Sequence, residues 1–159
     1  GYLFQEKGRR PFLPEKAEAL GIPNGPLRRD LVNGSAITLK DGRSIHPDQV
    51  LGDFKAGTRL VILGDVGDPG NLYRYCDQAD ALVVEATYLE SEADMARQFG
   101  HMTAKRSAEL AARTGVQQLI LTHLSRRYRE RDILQEAQEV FPNTRVARDF
   151  DTISVKKEE

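Results

Sequence analysis

Four side chains in this sequence could share one piece of chemistry. Asp65 follows the apolar run "LVILG", Glu85 closes "ALVVE", and His123 closes "LILTH". The fourth, His101, precedes a helical stretch in "FGHMT", where a loop could carry it over the same rim. In open α/β sheets, ligands gather at the carboxyl ends of strands, because side chains from several strands converge there. Aspartate with histidine is a donor set that suits Zn²⁺ or a similar borderline metal. Each residue also has an ordinary structural reading. An aspartate after a strand is commonly a turn residue or helix cap. A strand-end histidine is often a hydrogen-bonded structural residue, and Glu85 could be solvated. Asp68, in "GDVGDPG", reads as a turn residue, and His46, beside Pro47, as a surface residue. What favours chemistry is the repeated placement of such residues at one sheet edge.

The elements that must position them follow from the apolar pattern. Buried strands are expected at 58–64, 81–85 and 116–123. "NLYRYCDQ" reads as a short helix, "TAKRSAELAARTG" as a helix stopped by Gly115, and "ERDILQEAQEVF" as an amphipathic helix. Short strands at 144–147 and 151–155 complete an α/β layer with helices packed on a sheet. Residues 1–57 differ, being rich in Gly, Pro and charge. They offer helices at 14–20 and 26–32, with Pro14 as a helix start and Gly21 as a stop. A hairpin follows around Asp41-Gly42. With little sustained periodicity, this stretch is expected to bury little of itself and to be an excursion from a larger body.

At 159 residues the chain has the size of one domain, and its net charge of −1 argues against wholesale electrostatic capture of nucleic acid. A local basic patch is still compatible with that total. The single cysteine, Cys76, cannot form an internal disulfide, so a reducing cytoplasm is the expected compartment. No apolar run approaches the roughly 20 residues needed to cross a bilayer. The opening "GYLFQEKG" lacks an initiator methionine and reads as a strand, so the chain is expected to be a fragment of a longer protein.

"GIPNGP" (21–26), "LGD" (63–65), "EAT" (85–87), "GHMT" (100–103) and "THLSRRY" (122–128) occur in that order. Together they make the chain resemble the C-terminal portion of ribonuclease Z, the tRNA 3′-processing endonuclease of the metallo-β-lactamase fold. The likeness runs nearly end to end. It implies the C-terminal half of an αββα sandwich with an inserted tRNA-binding arm. Residues 1–5 would be a core strand, 6–56 the flexible arm, and 57–159 the rest of the half-domain. It further implies that Asp65 bridges two zinc ions, Mn²⁺ or another divalent metal being a substitute, and that His123 is a terminal ligand. His101 would be the proton donor to the leaving 3′-oxygen, and Glu85 would orient it. The family's His-x-His-x-Asp-His signature and a further histidine ligand are absent, as expected if they lie in a missing N-terminal half. Val84, Met102 and Val66 stand where the family usually has His, Ser and Thr. Val84 and Met102 would thereby remove polar groups from loops near the scissile phosphate.

The resemblance also names partners: precursor tRNA, the missing half of the domain, and a second copy in a homodimer, with no membrane involved. The arm's tip would be the loop holding Gly21, Pro23, Gly25 and Pro26. Lys7, Arg9, Arg10, Arg28 and Arg29 flank it as a basic set, suited to phosphates read by shape rather than sequence. Beside His123, Arg126, Arg127, Arg129 and Arg131 form a second basic group, in which Arg127 and Tyr128 match the family's loop. Guanidinium forks suit phosphate oxygens, whereas Arg129 and Arg131 also read as solvated residues at a helix start. The expected function is a zinc-dependent endoribonuclease that removes the 3′ trailer of precursor tRNA, the fragment alone being inactive. Two other readings stay open: a hydrolase of a small phosphodiester with the same fold, and a non-catalytic RNA-binding fragment.

Overall fold

In the computed structural model, which describes residues 1–157, the chain opens with strand β1 (Tyr2–Gln5). It then enters helices α1 (Pro14–Ala19) and α2 (Pro26–Val32) and a hairpin of β2 (Ile37–Thr38) and β3 (Ser44–Ile45). Strand β4 (Arg59–Ile62), helix α3 (Tyr73–Cys76) and strand β5 (Ala81–Glu85) follow. Helices α4 (Ala93–Phe99) and α5 (Ala104–Thr114) lead to β6 (Leu119–Thr122), α6 (Glu130–Val140) and β7 (Thr144–Val146). These elements fall into two compact units, one of residues 7–57 and one of residues 1–6 with Thr58 onward.

In the larger unit the sheet order is β1-β4-β5-β6-β7. Strand β1 runs antiparallel to β4, and the other pairings are parallel. Central parallel strands are covered on both faces and therefore read as continuous apolar runs. Accordingly Ala81, Leu82 and Val84 of β5 and Leu119 and Leu121 of β6 are fully buried. Helix α5 buries Ala104, Ala108, Leu110 and Ala111 in the same core. The Thr103 side chain accepts a hydrogen bond from Arg106 N (3.1 Å) to cap its start, and Gly115, at φ 63°, ends it. Burial pushes the Cys76 thiol up to about 11, which leaves it an inert core residue. At the sheet's edge, Tyr2, Leu3 and Phe4 of β1 are exposed. No helix among the described residues is long and apolar enough to cross a membrane.

The strand expected at 151–155 does not form. Asp151 turns the backbone back instead: its N–H donates to Arg148 O (3.1 Å) and its carboxylate accepts from Arg148 N (2.9 Å). Phe150, at φ 70° and fully exposed, breaks the extended run.

The smaller unit overturns a second expectation, because it has a core of its own. Ala17, Ile22, Leu31, Ile37, Leu39, Ile45 and Val50 are buried together, with Phe12, Leu20 and Leu27 packed against them. Each element contributes only one or two of these residues, so no period marks them in the sequence. Its two legs are pinned by paired backbone bonds, Arg9 N to Lys55 O (2.9 Å) and Lys55 N to Arg9 O (2.8 Å).

Candidate metal centre

The parallel register brings the strand ends to one edge. Ile62 pairs with Val83, and Glu85 with Thr122. Asp65 therefore leaves β4 beside Glu85, the last residue of β5, while His123 is the first residue beyond β6. His101 arrives from the other side, directly after Gly100, which ends α4 in the left-handed region at φ 73°. One donor atom from each of Asp65, His101 and His123 lies within 4.8 Å of the others. His123 Nε2 is 3.7 Å from Asp65 Oδ1, and the two histidine rings are 5.4 Å apart. Asp65 and His123 are more than half exposed, whereas His101 is largely covered. His123 itself holds φ 53°, a conformation that costs a non-glycine residue energy and is found at functional sites.

Beneath the cluster lies a buried carboxylate. Glu85 is 1% exposed, which replaces the solvated reading of that residue. Its oxygens lie 2.9 and 3.0 Å from His101 Nδ1, and one accepts from Val66 N–H at 2.7 Å. The arrangement makes Nδ1 the protonated nitrogen and leaves Nε2 of His101 free, the pattern by which a carboxylate orients a ligand or catalytic imidazole. The Thr87 hydroxyl joins the same network. It contacts Glu85 Oε2, lies 3.0 Å from the His123 carbonyl and 3.4 Å from His101 Nδ1. The residue reading gave Thr87 no part, although it sits two positions after Glu85 in "EAT". That spacing returns a strand-end side chain to the same face and was the available signal. One carboxylate and two imidazoles, with one of the rings fixed by a second carboxylate, fit a borderline divalent cation.

The other predicted residues are placed as follows. Arg127 donates to Glu92 Oε1 (2.9 Å) and to Met95 Sδ (2.9 Å), so its guanidinium ties the loop after His123 to α4. Tyr128 packs against the hydrophobic core, and its buried hydroxyl has no hydrogen-bond partner among the described residues. Arg126 and Arg129 are exposed, and Arg131 is paired with Asp132 (3.3 Å). Val84 and Met102 are both fully buried in the core. Strand alternation turns Val84 to the face opposite Glu85.

Within the smaller unit, Gly21 (φ 73°) and Gly25 (φ 133°) adopt conformations that side-chain-bearing residues rarely take, and Pro26 starts α2. Pro23, Pro26 and Arg29 are exposed, while Ile22 anchors the loop in the small core. Arg28 instead donates to Ile22 O (2.8 Å) and stacks over Phe12, and Arg10 donates to Gly52 O (2.8 Å) and pairs with Asp48. Two of the five basic residues thus serve the unit's own framework. His46 is exposed and precedes a turn of 3-10 helix, Pro47–Gln49.

No family model matches the chain. The ribonuclease Z of Bradyrhizobium diazoefficiens is 46% identical over 155 residues, covering 98% of this chain and 52% of that protein. The ribonuclease Z of Archaeoglobus fulgidus is 42% identical over 163 residues, covering 100% of this chain and 53% of its own. Among solved structures, the short form of human tRNase Z superposes with a TM-score of 0.51 at 27% identity, over 72% of this chain and 37% of that one. The metallo-β-lactamase-fold protein YhfI of Bacillus subtilis gives 0.53 at 23% identity, over 57% of this chain and 37% of that one, and speaks to the fold alone. The fold is that of metallo-β-lactamase proteins, and the chain spans about half the length of the curated relatives it matches.

Proposed function

Starting from homology to ribonuclease Z along the whole chain, we propose that it forms part of a metal-dependent endoribonuclease that removes the 3′ trailer of precursor tRNA in the cytoplasm. The observation that carries this reading is the convergence of Asp65, His101 and His123 above the buried Glu85. Asp65 and His123 would hold the metal, zinc being the best match to the donors, with the remaining ligands supplied by the other half of a longer protein. When bound, such a metal polarises a phosphoryl oxygen and activates water.

The chain's own residues do the rest. Glu85 would accept from His101 Nδ1–H and, as an anion, favour the imidazolium form. The Nε2–H of that ring would pass its proton to the departing 3′-oxygen of the cleaved phosphodiester and leave the neutral Nδ1–H ring. The Thr87 hydroxyl lies between Glu85 and the His123 carbonyl and can donate its one proton to either. The unit of residues 7–57 would act as the tRNA-binding arm. It presents Gly21, Pro23 and Gly25 in an exposed loop anchored by the buried Ile22, with Pro26 and Arg29 exposed on α2, which follows. Arg127 would meet a phosphate only by exchanging its Glu92 partner. The exposed Tyr2, Leu3 and Phe4 on edge strand β1 support a further layer of chain over this sheet. A homodimer, in which one arm serves its partner's tRNA, completes the proposal.

The test is cleavage of a precursor tRNA by the complete protein, with metal content measured on the same samples. Metal-dependent cleavage at the 3′ trailer, lost with metal in Asp65→Ala, supports the reading. Full cleavage by metal-free protein would overturn it.

A further inference from the structure

Two glycines set how closely the Asp65 loop approaches the His101 turn. Gly67 lies two residues after Asp65, and Gly100 lies one residue before His101. Their backbones meet so tightly that a methyl group on Gly67 would sit 3.0 Å from Gly100 Cα, 3.2 Å from its carbonyl carbon and 3.3 Å from its carbonyl oxygen. Such an approach forces a neighbour to give by a few tenths of an ångström, and here the neighbour is backbone. The turn has little freedom to yield elsewhere. His101 N–H is bonded to Ala96 O (2.8 Å), and Ala104 N–H to Tyr88 O (2.9 Å). Glu85 bonds both sides of the seam at once, Val66 N–H on one and His101 Nδ1 on the other.

We infer that Gly67 is a positioning residue: the absence of its side chain lets the Asp65 loop seat on Gly100 and fixes the separation between Asp65 and His101. This role rests on the metal-site reading proposed for Asp65 and His123. It differs from that reading in assigning the geometry to a residue that touches neither metal nor substrate. Metal–ligand distances at well-formed sites fall within about 0.2 Å of their standard lengths, so a shift of a few tenths of an ångström matters. The close approach is also one-sided. A methyl group on Gly100 would meet nothing within 4 Å, so a side chain there leaves the seam closed. Asparagine tolerates the left-handed conformation that Gly100 adopts.

The experiment titrates the complete protein with Co²⁺ and Zn²⁺, reading affinity by competition and geometry by the Co²⁺ absorption spectrum. Gly67→Ala should weaken binding about 10–100-fold, as removal of a group that orients a metal ligand does, and should alter the spectrum while the folded fraction at the working temperature is unchanged. Gly100→Asn should weaken it far less. Equal affinity and an unchanged spectrum in Gly67→Ala would overturn the inference, as would an equal loss in both variants. Asp65→Asn separates the two levels: if it binds metal normally, the site reading itself has failed; if it loses metal while Gly67→Ala does not, only the seam has failed. Should Gly67→Ala not fold, Zn²⁺ titration of the unsubstituted protein decides. The amide resonances of Gly67 and Gly100 should shift together with that of His101, and resonances that stay fixed would overturn the inference.

Discussion

The two units of this chain solve opposite problems. In the larger, the candidate side chains gather at the carboxyl edge of the parallel strands, His101 arriving from the turn after α4. Buried hydrogen bonds back part of this set: His101 is held by Glu85, Glu85 by Thr87, and the Asp65 loop by the Val66 bond to Glu85. In the smaller, the residues proposed to meet tRNA lie on and beside an exposed glycine-proline loop, which the buried Ile22 and the Arg28 bond to its carbonyl anchor. Metal and proton chemistry needs donor atoms placed to a fraction of an ångström, which buried hydrogen bonds supply. Contact with a nucleic-acid backbone, the role proposed for the smaller unit, needs reach and charge more than exact placement of single atoms.

The contrast can be broken at its strongest point first. Asp65→Ala should abolish metal retention and hydrolysis of every substrate, because it would remove the only negatively charged member of the proposed ligand pair, Asp65 and His123. Elemental analysis and turnover on the same sample check this, and retained metal would show that Asp65 belongs to a turn. Next, His101→Ala should lower turnover about 10²–10⁴-fold, the usual span for a general acid, while metal content stays much closer to that of the parent protein. Loss of metal there would make His101 a ligand, and an unchanged rate would make it structural.

The smaller unit is tested by excision. Glu6 N–H bonds Thr58 O at 2.9 Å, so the two ends left by removing 7–57 already adjoin and a short turn can join them. The shortened protein should hydrolyse a nitrophenyl phosphodiester at the parent rate but bind tRNA weakly. Its salt slope should flatten by about 0.7–0.9 for each phosphate that the arm no longer neutralises. Unchanged tRNA affinity would make 7–57 a structural insertion. The smallest effect is expected from Leu31→Ala. It should cost the 7–57 unit about 2–5 kcal/mol of local stability, Leu31 being fully buried there. Hydrogen exchange should speed up in α1, α2 and the hairpin and not at Glu85 or His101. Loss of protection in both units would show that they fold as one.

Legibility in the sequence follows the same division. The strand over 81–85 and the helix over 26–32 match their expected bounds, because an unbroken apolar run and a proline start are local signals. The gathering of Asp65, His101 and His123 at one edge was also visible, since parallel strands put their carboxyl ends together. What was hidden depended on direction and distance in space. Glu85 lies at a strand end like Asp65, yet points inward, and nothing in "VVEAT" says so. Val84 and Met102 looked like gaps in a polar loop and prove to be core. The small core of residues 7–57 draws on residues as far apart as Ala17 and Val50, beyond the reach of any periodicity.

The central claim is that Asp65, His101 and His123 form a single site for a divalent metal and its substrate. Anomalous diffraction from crystals of the complete protein grown with Zn²⁺ tests it most directly. A peak is expected within about 2.0–2.2 Å of an Asp65 carboxylate oxygen and of His123 Nε2, the normal lengths of zinc bonds to oxygen and nitrogen. His101 Nδ1 should still face Glu85. Zinc bound elsewhere, with Asp65 and His123 free of it, would contradict the claim.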